Sequence, residues 1–338
     1  MNSILDHIGP EHIHSDPFHY LTTSEALDPG YYEALAANFP DFSDHPGMEK
    51  NNALIHMSGL HAFAGEIPVD PIWQDFMRVH YSTEFFQQII GLLGDGVRQS
   101  HPNLEDRLGK RLEDLTVQPR HSEDMGADLW IDAQFAINTP VREATSVRCR
   151  HVDDPKKLFA GLFYMPMPDD DTVGGELEIC RWREAPSFQS VFVQDHMVDL
   201  VDTVKYQANT LLVLINSPEA VHGVTVRQKT PRIRRYLNFI AEFREPIFDL
   251  QQYQDDSAPW ALMMGGEKKR RWQHWQAHPN PHRAIRRWRQ TRTMKSRLRP
   301  SLSACGLFSM ARPSPTATRQ HCCTKRGFPI HIIFPAKT

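Results

Sequence analysis

Between residues 128 and 243 the chain breaks into about eight short runs rich in aromatic and β-branched residues, each bounded by Pro, Gly or Asp. The runs are 128–137, 145–153, 158–165, 175–180, 203–206, 210–216, 221–227 and 234–243. Short runs with this punctuation read as strands rather than helices. Strands of this number bury their apolar faces by closing into a sandwich, of which the jelly roll is one solution. The expected fold is therefore mainly β with flanking helices around a double-stranded β-helix (jelly-roll) core, and no internal repeat is visible.

Upstream the pattern is helical. Leu27, Tyr31, Leu35 and Phe39 recur every four residues behind Asp28-Pro29, a cap followed by a first-turn proline. Asp70-Pro71 opens a second periodic stretch through Trp73, Phe76, Val79, Phe86, Ile90 and Leu93, expected to end in the glycines 91–96. Residues 1–120 are thus expected to form a helix-rich part packed on a core at 121–250. Beyond that, charge changes sign: residues 267–338 carry 17 Lys and Arg against one acid, leaving 21 basic and 40 acidic residues before them. Lacking apolar periodicity, 251–338 is expected to be a flexible, solvated basic tail in preference to a nucleic-acid-binding arm.

With 40% hydrophobic and 23% charged residues, the composition is that of an ordinary globular protein. No apolar run approaches the roughly 18 residues of a membrane span, and the N-terminus lacks a basic-then-apolar export signal, so a cytoplasmic location is expected. Five cysteines without CxxC spacing argue against a disulfide framework and a structural zinc site.

A mononuclear non-haem iron site takes two imidazoles and a carboxylate on one face of the metal. Along a strand, residues i and i+2 point the same way, so His-x-Asp/Glu plus one distant His supplies such a face. Three matches occur: His14-Ser15-Asp16, His121-Ser122-Glu123 and His151-Val152-Asp153. Only the third follows a strand-like run, 145–150. Downstream of it come Gly174-Gly175-Glu176-Leu177, then Ala220-Val221-His222-Gly223-Val224, then Arg234-Arg235-Tyr236-Leu237.

This ordered set resembles the prolyl-4-hydroxylase-like superfamily of iron(II)/2-oxoglutarate oxygenases, over roughly residues 124–245. The resemblance implies iron(II) held by His151, Asp153 and His222, 2-oxoglutarate as cosubstrate with O2, and ascorbate as a candidate reductant. It also implies an arginine for the far carboxylate of 2-oxoglutarate on the strand after the distal histidine, where a planar guanidinium can bind it in bidentate fashion. Arg232, Arg234 and Arg235 compete. Strand parity sets Arg232, Arg234 and Tyr236 opposite Arg235 and Leu237; spacing from His222 favours Arg232, and alignment of Arg234-Arg235-Tyr236-Leu237 with the family's run favours Arg234, which is preferred. Tyr164 matches the position of a family tyrosine that hydrogen-bonds the same carboxylate.

Because Asp153 keeps the carboxylate ligand that halogenating relatives lack, hydroxylation is the expected outcome. The rival in another class is a cupin-type metal-binding jelly roll with a non-oxidative or sugar-binding role. The substrate, a small molecule or a peptide, is expected to meet the helical first part and the loops around 165–175 and 183–200.

Overall fold

The computed structural model describes residues 3–64, 68–188, 190–253 and 331–333; the expectations for the basic tail fall almost wholly outside them. In chain order the strands are β1 (Ile13–His14), β2 (Tyr20–Thr23), β3 (Leu54–Ser58), β4 (Val117–Pro119), β5 (Leu129–Asn138), β6 (Lys157–Tyr164), β7 (Leu177–Trp182), β8 (Val198–Val204), β9 (Leu211–Ile215), β10 (His222–Val224), β11 (Arg234–Phe243) and β12 (His331–Ile333). The helices are α1 (Pro29–Ala37), α2 (Leu60–Phe63), α3 (Pro71–His80), α4 (Thr83–Ser100) and α5 (Leu104–Leu108).

The larger sheet runs β1-β2-β9-β6-β11-β5-β3-β12, with β4 alongside β5; the smaller runs β10-β7-β8. The two face each other as in a jelly roll: Tyr164, Leu212, Leu214 and Tyr236 of the larger pack with Leu177, Ile179 and Val204 of the smaller. Two expectations are corrected. The sandwich does not close: the two sheets remain separate, and β4 and β12 join the larger one as parallel strands. The run 145–153 is no continuous strand but isolated antiparallel bridges, Thr145 to Arg227 and His151 to both His222 and Phe192. From the first 120 residues, β2, β3 and β4 pair directly into the larger sheet.

Alternation on β11 divides its residues between two environments. Leu237, Phe239, Ala241 and Phe243 enter the main apolar core with α3 and α4, through Trp73, Phe76, Phe85 and Ile89. Arg234, Tyr236 and Asn238 therefore lie on the other face of the sheet, toward the smaller sheet. On the helix side, Asp28 and Asp70 cap α1 and α3 as their sequence implies. The second periodic stretch is two helices, because Ser82 ends the first turn sequence and caps the next, its Oγ accepting from Phe85 N at 3.1 Å. The helix then runs through all three glycines to Ser100, since Gly96 meets His19 so closely that a Cβ would fall 2.6 Å from its ring. Among the described residues no helix is long and apolar enough to cross a membrane.

The core also holds a pH-sensitive group. His80 is fully buried, stacked on Phe76 at 3.8 Å; its Nδ1 donates to Phe76 O (2.7 Å) and its Nε2 accepts from Ile4 N (3.1 Å). Burial pushes its pKa down to about 3. Between that value and the ordinary histidine value the unfolded chain binds the proton that the folded one refuses. Stability is thus complete above about pH 6.5 and declines below it, by about 1.4 kcal/mol per pH unit for such a group. Urea midpoints measured on stepping the pH down should fall, and His80→Gln should remove its share of that slope.

Candidate metal centre and arginine cage

The bridge between His151 and His222 exchanges both backbone hydrogen bonds, His151 N to His222 O at 2.8 Å and the reverse at 2.9 Å. Across it the two imidazoles lie at a centroid distance of 4.3 Å. Asp153, two residues on, shares the side of His151, with its Oδ1 3.8 Å from His151 Nε2. All three residues are buried, and one ligand atom from each lies within 4.8 Å of the others. Among the described residues no other group of three His, Cys, Asp or Glu comes together in this way.

Both histidines are oriented by their own backbone. His151 Nδ1 lies 2.8 Å from Cys149 O and His222 Nδ1 2.9 Å from Ala220 O. A carbonyl only accepts, so each Nδ1 carries the proton and each Nε2 keeps its lone pair, the tautomer a metal ligand needs. Burial holds both imidazoles below the usual histidine pKa and so neutral. Burial alone would raise the pKa of Asp153, but Lys157, Arg148 and the two histidines outweigh it and hold the carboxyl far below its ordinary range. Two neutral imidazoles and one carboxylate are the donor set for a divalent cation with open positions. Neither of the other two His-x-acid matches joins this group; in the first, His14 stacks on Tyr20 and Asp16 pairs with Arg181. Cys149 offers the group its carbonyl rather than its sulfur.

Arg234 begins β11 on the same interior face, 1% exposed. Its Cζ lies 4.8 to 4.9 Å from the ring centroids of Tyr164, Tyr206 and Tyr236. Nη1 donates to Asn138 Oδ1 at 3.3 Å, whereas Nε, Nη2 and the Tyr164 hydroxyl have no hydrogen-bond partner among the described residues. Buried donors without acceptors cost roughly 1–3 kcal/mol each, and more for a charged group. A carboxylate is the ligand that would satisfy them together. Of the competing arginines, Arg232 pairs with Asp169 at 2.5 Å on the outer side, and Arg235 lies over Phe39 with Nε donating to Met165 O.

Tyr236, which strand parity sets on the Arg234 face, belongs to this cage, and so do Tyr206 and a second arginine, Arg227, neither of which any motif marked. Arg227 is fully buried, donating to Asn52 Oδ1, Thr139 O and Arg232 O. Burial and the charge of Arg234 push its pKa down to about 10. The double glycine has its reason here. Both residues have positive φ, +87° and +92°; a Cβ on Gly174 would fall 1.9 Å from Val226 O, and one on Gly175 would press the stems of Arg227 and Arg234 at 3.0 and 3.4 Å. Gly174→Ala should therefore cost about 2–4 kcal/mol, combining left-handed backbone strain with a forced backbone shift, read as a lowered thermal midpoint.

No protein-family model matches the chain, and no curated protein matches its sequence. Solved structures resemble its fold. A prolyl-4-hydroxylase from Pseudomonas putida is 18% identical over 67% of this chain and 93% of its own, at a TM-score of 0.34. A prolyl 4-hydroxylase from Phytophthora capsici is 15% identical over 72% and 65%, at 0.39. The epimerase SnoN, solved with Fe3+, α-ketoglutarate and nogalamycin RO, is 12% identical over 73% and 87%, at 0.37. At such identities and scores, the chemistry of the site has to be read from its own residues.

Proposed function

We propose that the chain is an iron(II)- and 2-oxoglutarate-dependent oxygenase that hydroxylates an unactivated C–H bond. The observation that carries this reading is the pairing of a ligand-ready His-Asp-His group with a buried arginine whose Nε and Nη2 lack acceptors. His151, Asp153 and His222 would hold the metal, and Arg234 with Tyr164 would take the far carboxylate of 2-oxoglutarate. The bound pair supplies the oxidising chemistry, with 2-oxoglutarate and O2 converted to succinate and CO2.

The remaining tasks fall to the chain. The backbone carbonyls of Cys149 and Ala220 fix the imidazoles, so little reorganisation accompanies metal binding. Tyr164, Tyr206 and Tyr236 enclose the guanidinium, fixing one end of the cosubstrate and keeping water from it. A cupin-type role would leave the unpartnered donors of Arg234 without a purpose. Residues 121–250 would supply the whole site, with the first 120 residues completing the larger sheet and its helical cover, and the substrate would be a small molecule or a peptide.

The test is succinate release from 2-oxoglutarate by the purified chain. Release that requires both iron(II) and O2 supports the reading; folded protein that binds iron(II) yet never forms succinate, with or without candidate substrates, contradicts it.

A further inference from the structure

The carboxylate of the metal group has more positive charge around it than a metal site needs. Asp153 Oδ1, the oxygen facing His151, lies 3.1 Å from Lys157 Nζ and 3.7 Å from an Arg148 Nη. A divalent cation at the triad would share that same oxygen with both, and like charges this close lower metal affinity.

Arg148 also has unspent donors. The Arg148 side chain, 34% exposed, makes no hydrogen bond among the described residues, and its ion pair is the long contact to Asp153. Its backbone is fixed, with the carbonyl accepting from Val224 N at 3.0 Å and the amide donating to Ser146 Oγ at 3.1 Å, so the guanidinium is carried on the wall beside His222. Lys157 opens β6 on the opposite, larger sheet. One cation on the connection leading to His151 and one on β6 thus both reach Asp153, apart from the Arg234 cage. Beside His151 stands Phe192, 54% exposed, its ring 6.2 Å from the imidazole.

We infer that the substrate is a carboxylic acid whose carboxylate is held by Arg148 and Lys157, with an apolar or aromatic body against Phe192. Arginine and lysine offer a fork and a point charge to one anion, and an anion between them offsets the surplus charge that the metal would leave. This places the group to be oxidised close to the substrate's acid function. The inference rests on the metal reading proposed above.

The test uses the full chain with Mn(II) and saturating 2-oxoglutarate, so that the Arg234 cage is already filled. A panel of aryl and alkyl carboxylic acids, each with its primary amide and its amine, is screened by thermal shift, with glutamate-containing tripeptides as a separate arm to tell a side-chain carboxylate from a free acid. Acids should raise the melting temperature by several degrees while amides and amines do not, and Arg148→Gln and Lys157→Gln should each abolish that response. The same variants should bind Mn(II) several-fold more tightly, which a merely structural role would not produce. Amides or amines acting as well as acids, or an acid response surviving both substitutions, overturns the inference. A wild-type chain that binds no Mn(II) instead defeats the metal reading itself.

Discussion

His151→Ala and Asp153→Ala are each expected to weaken divalent-metal binding by more than about 100-fold, beyond the roughly 10- to 100-fold typical of residues that only orient ligands. Each change removes one of three donors from a set whose protonation the fold has already arranged, so nothing nearby can substitute. Cys149 is the nearest soft donor in sequence, yet its contribution is the carbonyl that orients His151. In the matching His-x-acid sites, His14→Ala and His121→Ala should leave metal affinity unchanged, because neither residue joins the group. Free Mn(II) counted by electron paramagnetic resonance during titration checks all four, with circular dichroism confirming that each variant is folded. A His14 or His121 variant that lost the metal, with His151→Ala retaining it, would reassign the site.

Arg234→Leu should weaken 2-oxoglutarate binding by about 30- to 1000-fold, the equivalent of about 2–4 kcal/mol for losing one side of a buried charged contact. The same change should leave the ligand-free protein no less stable than before. The reason is the asymmetry of buried hydrogen bonds: two guanidinium donors and the neighbouring Tyr164 hydroxyl are buried without acceptors, and a leucine removes the unsatisfied donors while keeping apolar volume among three tyrosine rings. Affinity and stability thus move separately, as they would not for a residue that merely packs. Arg232→Ala should change 2-oxoglutarate affinity little, because its guanidinium is spent on Asp169. Calorimetric titration of 2-oxoglutarate in the presence of Mn(II), paired with chemical unfolding, separates the two effects.

The parts of the site that were legible beforehand are those set by local periodicity. His151 and Asp153 share a face because side chains alternate along extended chain, and the same parity separates Arg234 from Arg235 on β11. The helix starts at Asp28-Pro29 and Asp70-Pro71 were legible because a cap and a first-turn proline act through their own neighbours. What escaped depends on contacts between distant segments. Tyr206 and Arg227 close the strand-like runs 203–206 and 221–227, which carry no sign of a cage, and their meaning appears only when Arg234 is seen beside them. The helix continuing through Gly91, Gly94 and Gly96 escaped for the same reason: glycine reads as a terminator until His19 is found against Gly96. β3 was hidden because Leu54–Ser58 is too short and too polar to stand out, and it is a strand through its pairing with β5. Lys157 and Arg148 look like ordinary strand-edge cations in sequence, and only their common distance to one Asp153 oxygen gives them significance.

On the proposed reading, one metal and one 2-oxoglutarate bind together on His151, Asp153, His222 and Arg234. Anaerobic titration of the purified chain with iron(II), with and without 2-oxoglutarate, tests it most directly. One equivalent of iron(II) should bind per chain, 2-oxoglutarate binding should tighten when the metal is present, and that coupling should be lost in Asp153→Ala. A folded chain that binds no iron(II), or that binds 2-oxoglutarate equally well with and without it, is not an oxygenase built on these four residues.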